Sequence, residues 1–175
     1  TRAIGIALYD GNRVLCENTW ISKNHHTIEL APSIDQALAL VGIDSNDLQA
    51  VGVAIGPGSF TGLRIGLAFA KGLAISQRLS IIGIPTLNVS AKALPVQSGA
   101  RLAAVLEAGR RRLAVGWYRE KDGVWCSDGD LQNLAIEEFV GMITSPIYVI
   151  GELTGETRLR LNKTKGITSS PVNCV

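Results

Sequence analysis

The sequence predicts an α/β protein, and two observations carry this prediction. Short, unbroken runs of β-branched and apolar residues, typical of buried strands, alternate with longer segments in which apolar residues recur at helical spacing. The 175 residues, 46% of them hydrophobic, suffice to bury a core. The elements fall into two successive groups, which predicts a first lobe over residues 1–95 and a smaller second lobe over residues 96–175.

The first lobe is expected to begin with a hairpin. Its strands cover residues 3–9 and 13–20, and Gly11 between them tolerates the positive φ of a tight turn. A helix is predicted next, because apolar residues recur at helical spacing as far as Gly42. Pro32 within it predicts a kink. The later elements are a strand over residues 50–55, a helix ending near residue 76, a strand over 79–84 and a helix from 86 toward 94.

The second lobe repeats the plan of a hairpin followed by a helix, without a repeat in the sequence itself. Apolar, β-branched runs predict strands, and apolar residues at helical spacing predict one helix over residues 136–143. The predicted strands cover residues 102–107, 113–119, 124–126 and 147–150.

The most informative stretch is a glycine-rich run between the strand over residues 50–55 and the helix that follows. Backbone N–H groups at such a helix start favour an anion, and glycines allow a ligand or another backbone to come close. We define the signature loop as Gly56, Pro57, Gly58, Ser59 and Thr61. Either hydroxyl side chain in it is expected to cap the helix.

Two nucleotide-binding interpretations of this loop are disfavoured. A P-loop requires Gly-Lys-Ser/Thr at its end, whereas this loop ends in Thr61-Gly62-Leu63 and the nearest lysine is Lys71. The glycines also lack the G-x-G-x-x-G spacing of a dinucleotide site, and the preceding strand is not the first of the chain.

The third interpretation is packing. Small residues recur every four positions along the helix and form a smooth stripe on one face, which lets another helix approach. Since each interior glycine costs about 1 kcal/mol relative to alanine, a compensating close contact is expected. The stripe consists of Gly62, Gly66, Ala70 and Ala74.

The run GPGSFTGLRIGLAFAKGLA, residues 56–74, closely resembles the signature of the TsaB (YeaZ) family. These are bacterial tRNA threonylcarbamoyladenosine biosynthesis proteins related to TsaD and the glycoprotease-like group. Residues 26–34 resemble the first helix of the family, residues 84–87 its strand exit, and residues 107–111, loosely, its Asp-Ala-Arg turn. The resemblance covers residues 1–150 and implies the actin-like ATPase superfamily, with two RNase H-like lobes of mixed sheet flanked by helices.

Family members begin with a short apolar strand that ends in Asp-Thr-Ser, and they continue past the second lobe into a further helix and a Tyr-Leu-Arg-like segment. This sequence opens at Thr1, where that first strand would be finishing, and stops at Val175. We therefore expect the first strand, and the C-terminal part of the second lobe, to lie outside this sequence.

Charge disfavours a nucleic-acid protein, because the net charge is only +2. Arg110, Arg111 and Arg112 form one local basic cluster, which we interpret as a solvated turn. The three cysteines are far apart and without C-x-x-C spacing, which supports neither a zinc site nor a disulfide framework. This cysteine usage predicts a reducing compartment, so we expect a cytoplasmic protein. No apolar run approaches the ~20 residues of a membrane span, so we expect no membrane partner.

Catalytic metal ligands are not predicted. His25 and His26 are adjacent, so on a helix they diverge by about 100° and do not form an i, i+4 ligand pair. TsaD carries a His-x-x-x-His metal pair on the corresponding helix, whereas Leu30 stands four residues after His26. We therefore expect no metal.

Candidate nucleophiles are equally few. Ser59 or Thr61 would need Glu29 or Asp35 as base, and helix capping is the favoured role for both hydroxyls. The acidic residue that superfamily ATP sites use for Mg²⁺ belongs to the first strand, so weak nucleotide binding stays open. We expect no cofactor and no catalytic residue.

The resemblance implies that TsaB pairs with TsaD and, together with the ATPase TsaE, supports threonylcarbamoyl transfer to the adenosine next to the anticodon of tRNA. We therefore expect a non-catalytic partner subunit that meets tRNA indirectly and forms a two-fold homodimer through the same helices when TsaD is absent. The expected interface residues are Leu30, Ile34, Gly62, Ile65, Gly66, Phe69 and Ala70.

Two alternatives from other classes stay open. One is an active enzyme, either an actin-like ATP-dependent transferase or a glycoprotease-type peptidase, which calorimetry with ATP would reveal. The other is a direct tRNA-binding module that uses Arg110 to Arg112 and Lys71, which a salt-dependent tRNA shift by this chain alone would reveal.

Overall fold

The structure is a computed structural model that describes residues 3–22 and 25–169. The contacts of the chain divide it into two compact units, one extending to Ile84 and the other beginning at Pro85. Each unit combines strands and helices.

The first unit follows the predicted order of elements. An antiparallel hairpin opens it, and a second pair of strands forms a separate two-stranded sheet. The elements are β1 (Ala3–Tyr9), β2 (Val14–Ile21), α1 (His26–Val41), a 3₁₀ turn (Ser45–Asp47), β3 (Ala50–Gly56), α2 (Phe60–Gln77) and β4 (Ser80–Pro85). β1 pairs with β2 and β3 pairs with β4.

The second unit is built on one six-stranded sheet. Its elements are α3 (Thr86–Lys92), β5 (Arg101–Glu107), β6 (Arg112–Lys121), β7 (Val124–Ser127), β8 (Gln132–Ala135), α4 (Ile136–Gly141), β9 (Ile147–Glu152), α5 (Gly155–Asn162) and β10 (Ile167–Ser169). The strand order is β10-β9-β5-β6-β7, and β8 pairs with the first half of β6, beside the stretch that pairs with β7.

α3 packs on the sheet of the second unit, against β5, β6, β7 and β9. Leu87 and Ala91 of this helix are buried in a cluster with strand residues of that sheet. The boundary between the units therefore lies before α3 and differs from the boundary after residue 95 that the sequence predicts.

The core of the second unit has two layers, one on each face of the sheet. Along β6, Leu113, Val115 and Trp117 belong to one cluster, whereas Ala114 and Tyr118 belong to the other. This alternation follows from the period of two along a strand. Since both faces are covered, the strand is a nearly continuous apolar run, as the sequence indicated.

Three elements of the second unit were not predicted: β8, α5 and β10. α5 is mostly polar, with two leucines that do not form an apolar stripe of helical period. Its start is nevertheless signalled, because Thr154 caps it through a hydrogen bond from the Thr157 N–H and Glu156 lies in its first turn. β8 and β10 have only four and three residues, too few for a periodic pattern.

Candidate functional site

The signature loop joins β3 to α2 and fixes the start of that helix. Gly56 has φ +101°, a conformation that favours glycine, and Gly58 is not in this region. Ser59 is the N-cap, and its Oγ accepts a hydrogen bond from the Gly62 N–H over 3.3 Å. Of the two expected caps, Ser59 therefore takes the role, so one free N–H of the helix start is satisfied by the protein itself.

A groove lies between α1 and α2 and has a volume of about 460 Å³. Helix α1 contributes Thr27 and Leu30 to it, and the rest of its lining comes from α2. The α2 residues are Thr61, Arg64, Ile65, Ala68 and Phe69. Three expected interface residues, Leu30, Ile65 and Phe69, thus lie together in one groove.

The groove has a cationic and aromatic edge. Phe60 is 74% exposed, and the Arg64 guanidinium carbon lies 5.2 Å from the centre of its ring. This cation–π pair joins residues four apart on one helix, so it holds the guanidinium beside the apolar lining.

The small-residue stripe does not form this groove. A Cβ atom on Gly66 would lie 3.8 Å from Val53 Cγ2 in β3, and one on Gly62 would meet the Ser59 side chain at 3.6 Å. Ala70 and Ala74 are 3% and 6% exposed. Ala70 and Ala74 are thus buried and Gly66 faces β3, whereas Gly62 and Gly66 are themselves half-buried, so a role of the stripe in pairing stays a prediction.

The histidines and Glu29 lie at the start of α1. Glu29 accepts a hydrogen bond from Trp20 Nε1 over 3.0 Å, and its other oxygen lies 3.8 Å from His25 Nδ1. The hydrogen bond from Trp20 is the largest cause that lowers the pKa of the Glu29 carboxyl. Helix α1 begins at His26, and its N-cap, His25, makes no capping hydrogen bond through its side chain.

These contacts leave Glu29 engaged by its own hairpin and helix. Ser59 Oγ is occupied by its capping bond, and Thr61 faces the groove. Within residues 3–22 and 25–169, no group of three or more His, Cys, Asp or Glu side chains is placed to hold a metal ion. None of the helices in the same ranges has both the length and the apolar content needed to cross a bilayer.

Of the three arginines predicted to lie in a turn, Arg110 and Arg111 lie in the turn between β5 and β6, and Arg112 is the first residue of β6. Arg110, Arg111 and Arg112 also line a second cavity of about 260 Å³, together with Arg160 of α5. Glu107, at the end of β5, lies in the same cavity.

Sequence reasoning missed several of these residues. Thr27, Arg64 and Ala68 belong to the groove, and the spacing of Phe60 and Arg64 on one helix is the signal that indicates the cation–π pair. Arg160 was missed because α5 itself was not predicted.

The chain matches the family model described as TsaD, tRNA N6-adenosine threonylcarbamoyltransferase, over residues 17–145. It is 33% identical over 129 residues to the tRNA threonylcarbamoyladenosine biosynthesis protein TsaB of Escherichia coli K12. The TsaB of Bacillus subtilis 168 is 29% identical over 154 residues. The chain belongs to the TsaB (YeaZ) branch of this family.

These alignments with TsaB proteins cover 71% and 86% of this chain. In turn, the chain spans 54% and 67% of the length of the two relatives. A solved structure described as YeaZ from Pseudomonas aeruginosa superimposes with a TM-score of 0.80 at 22% identity, covering 98% of this chain and 81% of that one. The fold is therefore the actin-like, RNase H-like α/β fold, and the predicted fold class is confirmed.

Proposed function

We propose that this chain is a non-catalytic partner subunit in tRNA threonylcarbamoyladenosine biosynthesis and that its α1–α2 groove binds a TsaD-like catalytic subunit. The relatives named TsaB support the pathway. The observation that carries the binding role is the groove itself, in which Leu30, Ile65 and Phe69 lie together beside the exposed Phe60–Arg64 pair.

The chemistry of the groove suits a partner helix. Its lining is mainly apolar, with polar groups from Thr27, Thr61 and Arg64 around it. Amphipathic helices bind in such grooves by inserting an apolar face, and burial of an aromatic anchor such as Phe69 contributes strongly to affinity. A guanidinium at the edge adds orientation, since it prefers a carboxylate or an aromatic ring on the partner.

A TsaD subunit is a suitable partner because this chain matches the TsaD family model. Related folds present related helix pairs, and two such pairs can pack about an approximate two-fold axis, as identical surfaces do in a homodimer. The same reasoning supports the proposal that the groove forms a homodimer when TsaD is absent. A partner that covers the groove excludes a second copy of this chain from it.

The remaining parts of the proposal follow from the family. A TsaE-like ATPase joins the TsaB–TsaD pair, and the chemistry of transfer takes place on the TsaD-like subunit, with tRNA as the common substrate in the cytoplasm. No catalytic residue or cofactor is assigned to this chain.

Co-expression tests this proposal. The chain and the TsaD of its own organism are produced together with a tag on one of them, purified through the tag and separated by size exclusion. We expect a stable complex, and we expect tRNA threonylcarbamoyladenosine to be restored when the chain is supplied to cells depleted of their TsaB. Separate elution of two folded proteins would contradict the pairing, and activity of the chain alone would contradict the non-catalytic role.

A further inference from the structure

A second, charged cavity lies in the second unit, in the turn between β5 and β6 and against α5. Arg110 and Arg111 line it from the turn, Arg112 lines it from the start of β6, and Arg160 lines it from α5. Its volume is about 260 Å³. We call it the arginine pocket.

Two of the four guanidiniums are already paired. Arg160 lies 2.8 Å from a carboxylate oxygen of Glu137. Arg112 donates from Nε to Asn133 Oδ1 over 2.9 Å and lies 3.9 Å from Glu138. These acids on α4 therefore balance the two cations that frame the pocket.

The other two guanidiniums are available. Among the described residues, the side chains of Arg110 and Arg111 have no hydrogen-bond or ion-pair partner, although Arg111 is close enough to Glu137 to help lower the pKa of that carboxyl. The largest cause of that lowering is a backbone hydrogen bond of Glu137 itself, followed by the hydrogen bond from Arg160. A free guanidinium offers up to five N–H donors in a planar fork.

The backbone of the turn is unusual for its sequence. Arg112 N donates to Gly109 O over 2.9 Å, and the two residues between them, Arg110 and Arg111, have φ of +49° and +57°. A two-residue turn with positive φ at both positions favours Asn-Gly, because the left-handed conformation is unfavourable for a residue with a long side chain. The arginines at both positions are therefore better explained by a role of their guanidinium groups than by the backbone preference of the turn.

Two acidic residues line the pocket, Glu107 and Glu156, and Glu107 is occupied. Glu107 Oε1 accepts hydrogen bonds from Thr154 N over 3.0 Å and Thr154 Oγ1 over 2.8 Å. Partial burial opposes the charge of this carboxylate, but hydrogen bonds from Thr157 and Thr154 outweigh burial and lower its pKa. Oε1 of Glu107 is thus engaged by Thr154 at the start of α5, and among the described residues neither Glu107 nor the exposed Glu156 forms an ion pair with Arg110 or Arg111.

We propose that the arginine pocket binds a phosphate group. Guanidinium forks match phosphate oxygens in geometry and charge, and a tetrahedral phosphate can accept from two arginines at once. The phosphate can be free inorganic phosphate or a phosphodiester of an RNA strand, since both present the same oxygens. The inference does not depend on pairing with TsaD, because the pocket and the groove share no lining residue.

The test uses the 175-residue chain and two probes: inorganic phosphate alone, by calorimetry, and a fluorescein-labelled single-stranded RNA, by anisotropy at fixed salt. The turn variant combines Arg110→Asn with Arg111→Gly, the residues that this type of turn prefers. The control combines Lys92→Gln with Lys121→Gln, which removes the same charge elsewhere in the second unit. Because the turn variant relieves an unfavourable backbone, its melting temperature should be at least that of the native chain.

We expect the turn variant to bind roughly tenfold or more weakly than the native chain, because two charge-assisted contacts are lost, and the control to stay within about twofold. If inorganic phosphate binds with this pattern, the ligand is free phosphate. If only RNA binds with this pattern, the ligand is a phosphodiester. The proposal is overturned if the native chain binds neither probe, if the turn variant binds like the native chain, or if the control loses as much affinity as the turn variant. We expect the turn variant still to pair with TsaD, so that the result for phosphate binding at the arginine pocket is independent of the result for pairing at the groove.

Discussion

A Cβ atom on Gly66 of α2 would lie 3.8 Å from Cγ2 of Val53 in β3. The position therefore has room for a methyl group in van der Waals contact with the strand. Gly66 thus lies on the side of α2 that meets its own sheet, and the groove that we propose as the pairing surface lies on the neighbouring face.

The first prediction concerns this packing. Gly66→Leu should lower the free energy of unfolding by about 1–3 kcal/mol, because the added side chain overpacks the contact with Val53. Gly72→Leu is the matched control on the same helix, since no atom lies within 4 Å of a Cβ at Gly72. The control should gain about 0.5–1 kcal/mol from better helix propensity. Thermal unfolding measures both, and a Gly66→Leu chain as stable as the native one would mean that the face is free.

The second prediction distinguishes the two glycines of the signature loop. Gly56 has φ +101°, and a Cβ there would lie 3.1 Å from Leu63 Cδ1, whereas Gly58 has ordinary contact distances of 3.6 Å to the same side chain. Gly56→Ala should cost about 1–3 kcal/mol from the strained backbone, and Gly58→Ala well under half of that. Denaturant unfolding of the two variants compares them directly. If both variants lose the same free energy of unfolding, the positive φ of Gly56 is not the reason why this position needs glycine.

The third prediction concerns pH and Glu107. Its pKa is lower in the folded chain than in the unfolded chain, so the ionised carboxylate adds stability above its unfolded pKa, and this contribution is lost as the pH falls through the folded pKa. Glu107→Gln should therefore melt below the native chain at about pH 7, and the difference should shrink toward about pH 3. Glu156→Gln is the control, because it removes an exposed carboxylate that lines the same arginine pocket. A difference that stays constant across this range would exclude the charge as its cause.

Much of the fold could be predicted from the sequence because burial leaves a periodic signal. The strand that became β6 was recognised from an apolar run, and its residues Leu113 to Tyr118 are indeed buried on both faces of a sheet. α5 lacks such a signal, since it meets the core mainly through Leu161 and Thr157 and is held at its start by Thr154 and Glu107. Hydrogen bonds between elements far apart in sequence leave no local period, so the helix and its pocket were missed.

The candidate site was predicted in part for a similar reason. Helical spacing identifies which residues share a face of α2, but it does not say which face meets the sheet and which is left open. The small residues were therefore assigned to a partner, whereas Gly66 lies near Val53 of β3 and Gly62 lies near the Ser59 side chain. Phe69, Ile65 and Leu30 were among the expected interface residues, and they lie together in the groove.

The measurement that tests the central claim most directly is the pairing of TsaD with two variants that add the same charge at exposed alanines. Ala68→Arg places a guanidinium in the groove. Ala39→Arg places one on the exposed surface of α1, about 180° around that helix from Leu30. Because both alanines are exposed, both variants should fold like the native chain.

Each variant is co-expressed with the TsaD of the same organism and analysed by affinity purification and size exclusion. We expect Ala39→Arg to elute with TsaD as the native chain does and Ala68→Arg to elute alone, because the added charge would be buried in an apolar interface without a partner. Co-elution of TsaD with Ala68→Arg at the native level would contradict the claim that the groove is the pairing surface.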